Sequence, residues 1–270
     1  MNILQVTTCR PVLFWRMYES LQARPHLDAW KLNVHAQLWP TADLRQLNRQ
    51  WPTIDMWHAS AIRSSIYQSR IRALRYMEPG DVLCFADDDM VFLPETDYDT
   101  PAAFIQANPH VGVVSCGMKR RPSDPTPPTP HVYTEAPLTG VMGGMLIGYD
   151  SAQLVLNFGE TPAGIDYRPD DVHFAAACYV AGKMNYTYHG SVAVHEWGTP
   201  GGIIDVQRAN PWMHAGHQDY FAINRKKKHV TAKQWKLDYT ERAHAEHEAN
   251  AHRWTGGEAP TTVDQEPVQA

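Results

Sequence analysis

The chain has 270 residues and a mass of 30.6 kDa, with 43% hydrophobic and 20% charged residues and a formal net charge of -5. That length buries a full core, the apolar fraction excludes a chain disordered throughout, and the slight acidity argues against a general polyanion binder. No apolar run approaches the roughly 18–20 residues that span a bilayer, and Met1–Val6 lacks the basic start and cleavage site of a secretory leader. The expectation is a cytoplasmic protein with no transmembrane segment, its four cysteines reduced and lacking any CxxC pair.

In chain order, Ile3–Thr8 is β-prone and ends in Thr7-Thr8-Cys9-Arg10-Pro11. A helix is predicted over Val12–Ala23 from the spacing of Leu13, Met17 and Leu21, and a strand over Trp30–Leu38 from the alternation of Leu32, Val34, Ala36 and Leu38. Ser60–Met77 reads as helical and stops at the Glu78-Pro79-Gly80-Asp81 turn. Val82–Ala86 is a continuous apolar run, as in a strand covered on both faces. A helix over Pro101–Asn108 and a buried strand over Val111–Cys116 follow, and then a proline-rich loop over Lys119–Pro137.

Met145–Tyr149 is a strand, Ser151–Phe158 a helix, Asp170–Gly182 a helix, and Met184–Val194 a strand leading into His195-Glu196-Trp197-Gly198. Strands alternating with helices imply a three-layer α/β sandwich on a mostly parallel sheet. The predicted organisation is one α/β domain over 1–220, a basic and polar helical extension over 221–254, and a disordered tail over 255–270.

Asp87-Asp88-Asp89 directly follows the buried run. Adjacent carboxylates repel, and desolvating each costs several kcal/mol without a counter-charge. The carboxyl ends of parallel strands are where such folds bind ligands. A divalent cation, Mn²⁺ or Mg²⁺, satisfies both conditions, with coordination positions open to phosphate oxygens; a solvated acidic turn is the plain alternative. Asp87, Asp89 and Val91 also formally meet the nucleophile signature of haloacid-dehalogenase-like phosphatases, but that motif belongs to the first strand of its domain, and here other strand–helix units precede it.

Several segments, taken in order, resemble the family-2-like members of the GT-A nucleotide-sugar glycosyltransferases. Ser69–Leu74 resembles the helix before the DxD strand, and Phe85–Met90 the DxD motif itself, with Asp87 and Asp89 as its acids. Thr139–Ile147, with Gly143 and Gly144, resembles the glycine-bearing acceptor-side segment. Tyr167–Phe174 resembles the "ED" motif, and Val192–His195 the strand that returns a histidine to the metal. The resemblance covers roughly 1–200.

It implies a GT-A fold and a metal held by Asp87, Asp89 and His195. The donor would be a UDP- or GDP-sugar contacted through Thr7, Thr8, Arg10, Arg70, Asp87 and Asp88, with Asp87 assigned either to the metal or to the ribose. It implies Asp171 as general base, Asp170 as acceptor orienter and Trp197 against the sugar, with inversion at the anomeric carbon. Asp170-Asp171 serves equally as a helix cap, and His195 as a strand-end histidine satisfied by backbone. The acceptor is a hydroxyl on a glycan, a lipid-linked molecule, a protein or, given Lys119-Arg120-Arg121 and Arg225–Lys228, a modified nucleic-acid base. A nucleotidyltransferase and a non-catalytic nucleotide-sugar binder are the alternatives.

Overall fold

The computed structural model describes residues 1–49, 56–61, 66–119, 123–124, 132–136, 144–157 and 170–195. The proposed boundaries at 220 and 254, the helical extension between them and the tail all lie outside these residues. Nine strands form one sheet: β1 (Asn2–Thr8), β2 (Lys31–Gln37), β3 (Met56–Ser60), β4 (Val82–Ala86), β5 (Met90–Phe92), β6 (Val111–Lys119), β7 (Tyr133–Glu135), β8 (Met145–Gly148) and β9 (Met184–His195). Their order is β3-β2-β1-β4-β8-β6-β9-β5, with β7 paired to β9. The helices are α1 (Pro11–Gln22), α2 (Thr41–Arg49), α3 (Ile66–Arg75), α4 (Asp99–Ala107), α5 (Tyr149–Asn157) and α6 (Asp170–Val180).

Side chains alternate across each strand, so each face of the sheet is covered by its own helices. Leu4, Val6, Val34 and Cys84 pack with Phe14 and Met17 of α1, Leu47 of α2 and Ala102 of α4. Ile3, Leu83, Phe85 and Ile147 point the other way, onto Leu74 of α3, Val155 of α5 and Phe174 of α6. This is the three-layer α/β sandwich expected from the sequence. β3, β2, β1 and β4 are mutually parallel, so their carboxyl ends lie along one edge. Beyond β4 the sheet is mixed: β8 runs antiparallel to both β4 and β6, and β5 antiparallel to β9.

The structure refines the sequence reading at three places. The helix expected over Ser60–Met77 divides into the end of β3 and α3. Thr41–Arg49 forms α2, and the short strand β7 lies inside the proline-rich loop. On β2, the polar residues between the apolar ones, Asn33, His35 and Gln37, are buried too. Asn33 Nδ2 donates to Gln5 Oε1 at 2.7 Å, and Gln37 Nε2 donates to Ser69 Oγ on α3 at 2.8 Å. Cys84, Cys116 and Cys178 are buried and form no disulfide, and burial pushes all three thiols up, Cys178 to about 12. Among the described residues no helix is long and apolar enough to cross a membrane.

His35 lies within that buried polar row, fully enclosed. It stacks on His58 with ring centroids 4.2 Å apart, and neither of its ring nitrogens has a hydrogen-bond partner among the described residues. Burial lowers its pKa from 6.5 to about 4, with His58 and Arg72 acting in the same direction. The folded pKa is below the unfolded one, so as pH falls below about 6.5 the unfolded chain takes up the proton first. Stability is then lost progressively toward pH 4. The melting temperature of the wild type should therefore fall more between pH 7 and pH 5 than that of His35→Phe, which keeps the stack and removes the titration. Equal slopes for the two proteins would refute this account of the pair.

Candidate functional site

β4 is buried along its whole length and ends at Ala86, directly before Asp87. The chain then turns through Asp87-Asp88-Asp89, with Met90 N donating to Asp87 O at 3.2 Å, and leaves as β5. Because β5 pairs antiparallel with the end of β9, Met90 stands opposite His195. A histidine more than a hundred residues along the chain thus arrives beside the acidic turn. The ligand atoms of Asp87, Asp89 and His195 all lie within 4.8 Å of one another. His195 Nε2 is 2.9 Å from Asp89 Oδ1 and 3.8 Å from Asp87 Oδ2.

Each carboxylate is met by a cation. Arg70, on α3 and 5% exposed, donates from Nη2 to Asp87 Oδ1 at 2.6 Å. Its guanidinium also lies 5.5 Å from the centroid of the Phe85 ring, a cation–π contact. Arg10, at the mouth of α1, forks onto Asp88: Nη2 pairs with Oδ1, and Nε donates to Oδ2 at 3.1 Å. Nη2 reaches Asp89 Oδ2 as well, at 3.2 Å. Thr8 Oγ1 donates to Asp88 Oδ2 at 2.7 Å and accepts from Arg10 N at 3.0 Å.

These pairings govern ionisation. Burial works to raise the Asp89 carboxyl, but His195 and Arg10 outweigh it and hold the group below its ordinary value. Burial likewise works to lower His195, and Asp89 and Asp87 overcome it, so the imidazole titrates above its usual range. Arg10 is held above its ordinary value by Asp88 and Asp89 despite its burial. Two carboxylates and an imidazole whose ligand atoms lie within 4.8 Å of one another, with His195 Nε2 2.9 Å from Asp89 Oδ1, form a donor set that fits a divalent cation.

Of the sequence-predicted site residues, Asp87, Asp89 and His195 lie within reach of one another. Thr8, Arg10, Asp88 and Arg70 gather at the same turn, where the side chains of Thr8, Arg10 and Arg70 engage its carboxylates. Thr7 extends along the carboxyl edge, its Oγ1 buried and without a partner among the described residues. In register it sits opposite His35, which is opposite His58. This polar row leading away from Asp87 was not singled out in the sequence, although the alternation of Asn33, His35 and Gln37 with apolar residues was its signal.

Gly144 lies at the start of β8, its N–H donating to Phe85 O at 2.8 Å and its carbonyl accepting from Cys116 N at 3.0 Å. It thereby ties the end of β4 to β6 just below the acidic turn. Asp170 and Asp171 begin α6. Gly143 and Trp197 lie outside the described residues.

No protein-family model and no curated protein matches the sequence. Solved structures do match its fold. The mannosyltransferase PcManGT from Pyrobaculum calidifontis, solved with GDP-Man and Mn²⁺, is similar with a TM-score of 0.57 at 17% identity, over 96% of this chain and 76% of that one. TarS residues 1–349 of S. aureus, solved with UDP-GlcNAc, is similar with a TM-score of 0.53 at 15% identity, over 94% and 73%. GalNAc-T7, solved with UDP, GalNAc and Mn²⁺, is similar with a TM-score of 0.58 at 12% identity, over 98% of this chain and 59% of that one. The architecture is the GT-A fold of nucleotide-sugar glycosyltransferases. At such identities the likeness establishes the fold, and the chemistry has to be argued from the site.

Gly144 gives this site a test through stability. Its φ of +81° lies in the left-handed region, and a Cβ there would stand 3.2 Å from the Tyr98 hydroxyl and 3.3 Å from Cys116 Cβ. Gly144→Ala should therefore lower unfolding stability by about 1–3 kcal/mol in urea denaturation. A loss under about 0.5 kcal/mol would show that the strand junction below the acidic turn does not need a glycine.

Proposed function

We propose that this protein is a metal-dependent glycosyltransferase that moves a sugar from a nucleoside-diphosphate donor to a hydroxyl acceptor. The observation that carries the proposal is the trio of Asp87, Asp89 and His195 gathered at the carboxyl end of a buried parallel strand, their ligand atoms within 4.8 Å of one another. The fold supports it, as do the GDP-Man, UDP-GlcNAc, UDP and Mn²⁺ in the similar structures.

Asp87, Asp89 and His195 would hold Mn²⁺ or Mg²⁺, and when bound the ion neutralises the charge that develops on the departing diphosphate. The protein's own groups do the rest. Arg70 fixes the orientation of Asp87 and places a second positive charge at the mouth of the turn. Thr7, whose hydroxyl has no partner among the described residues, stands near the end of β1 and is offered to the nucleoside. Gly144 sets the backbone below the turn on the acceptor side, and Gly143 and Trp197, outside the described residues, are assigned to the acceptor side from the sequence alone.

Asp171, in the first turn of α6, is assigned as the base that takes the proton from the acceptor hydroxyl, with Asp170 orienting that hydroxyl. A base on the side opposite the leaving group gives inversion at the anomeric carbon. The donor is assigned to the UDP- or GDP-sugar class and the acceptor to a hydroxyl of a glycan, lipid-linked molecule or protein. The basic residues that pointed to a nucleic-acid base, Arg120-Arg121 and Arg225–Lys228, lie outside the described residues, and no comparison supports that variant.

Incubation with UDP- and GDP-sugars and Mn²⁺ should release the nucleoside diphosphate slowly, even without an acceptor. Asp89→Ala should abolish metal-dependent donor binding. Asp171→Asn should keep donor affinity within about twofold while lowering transfer by about a hundredfold or more. Release of sugar 1-phosphate instead of the nucleoside diphosphate would indicate nucleotidyl transfer, and normal transfer by Asp171→Asn would remove that residue as the base.

A further inference from the structure

We propose that Arg10 is a positioning residue for Asp89, and that Asp88, the middle carboxylate of the turn, is the anchor of Arg10 and not a metal ligand. This rests on the reading of Asp87, Asp89 and His195 as a cation site. Both oxygens of Asp88 are already engaged. Oδ1 takes Nη2 of Arg10, while Oδ2 takes Thr8 Oγ1 at 2.7 Å and Arg10 Nε at 3.1 Å. The residue is 4% exposed, and its carboxylate is turned onto Thr8 at the end of β1 and onto Arg10.

The same Nη2 reaches Asp89 Oδ2 at 3.2 Å. A carboxylate gripped at one oxygen presents the other in a defined direction, and Asp89 Oδ1 is the atom 2.9 Å from His195 Nε2. Arg10 is itself seated firmly. Its carbonyl accepts from Leu13 N at 3.1 Å and Phe14 N at 3.0 Å, opening α1, and Phe14 is fully buried. The path from the core to the proposed metal ligand thus runs α1, Arg10, Asp89, with Asp88 and Thr8 fixing the fork.

The electrostatics make the proposal sharp. A guanidinium within 3.2 Å of a metal ligand repels a cation, so by charge alone its removal tightens metal binding. Positioning predicts the opposite sign, since partners that orient metal ligands typically contribute about 10–100-fold to metal affinity. Nη1 of Arg10 also lacks a partner among the described residues, and the rival role for the side chain is a contact to the donor diphosphate through that atom.

Mn²⁺ binding to the full chain, followed by the electron paramagnetic resonance signal of free Mn²⁺ with and without UDP or GDP, separates these roles. Arg10→Ala and Arg10→Lys should each weaken Mn²⁺ by about tenfold or more, and Asp88→Asn by a similar factor. The Arg10→Ala/Asp88→Asn double variant should lose no more than the worse single one. Affinity for metal-free nucleotide should stay unchanged. If Arg10→Ala does not fold, the charge-conserving Arg10→Lys carries the test alone.

Mn²⁺ binding as tight as or tighter than wild type in a folded Arg10 variant would overturn the proposal. So would additive losses in the double variant, or a loss confined to metal-free nucleotide affinity. A wild type that binds no Mn²⁺ under either condition would instead remove the cation site, and this inference with it.

Discussion

Three carboxylates on consecutive residues have to be held at the end of a buried strand, and most of the local structure answers that demand. Two unit charges 4 Å apart interact by about 4 kcal/mol at an effective dielectric of about 20. Domains are stable by only about 5–15 kcal/mol. An uncompensated Asp87-Asp88-Asp89 turn would therefore consume a large share of the stability of the fold. Arg10 and Arg70 supply two of the three counter-charges from opposite faces of the sheet, one from α1 and one from α3. The third position falls to His195, which cannot balance the cluster as a neutral imidazole. The remaining negative charge is what a divalent cation and its diphosphate would resolve together.

The sheet topology explains why this balance can be struck at one point. The parallel half, β3-β2-β1-β4, brings the ends of β1 and β4 side by side, so Thr8 and Arg10 lie next to the acidic turn. The antiparallel pairing of β5 with β9 then returns His195 from the far end of the chain. Gly144 closes the arrangement from below by joining β4 to β6 through backbone hydrogen bonds. Rigid elements thus carry the donor-side groups of the site, as pre-organised electrostatics require.

Much of this was legible in the sequence, for identifiable reasons. Val82–Ala86 is apolar on both faces and ends in charge, which marks a central strand whose carboxyl end meets solvent or ligand. His195 was readable because Met184–Val194 is a long run with strand character that stops there. The partners of the acids were harder. Arg10 and Thr8 could be placed near the site from their position after the first strand, but only three-dimensional structure shows them turned onto Asp88. β2 misleads in a different way. Its apolar alternation resembles a half-exposed strand, yet Asn33, His35 and Gln37 are buried, satisfied in part by one another's neighbours. Short elements such as β3 and β7 carry too few residues for a period to register, and tertiary pairing defines them.

The central claim is that a divalent cation sits between Asp87, Asp89 and His195. Anomalous difference density at the manganese edge, from crystals grown with Mn²⁺ and either UDP or GDP, tests it most directly. The account predicts one strong peak at about 2.0–2.3 Å from a carboxylate oxygen of Asp89 and from His195 Nε2, within reach of Asp87 and the diphosphate. A nucleotide bound at the carboxyl edge of the sheet with no peak at that trio, or with the manganese ligated elsewhere, would contradict it.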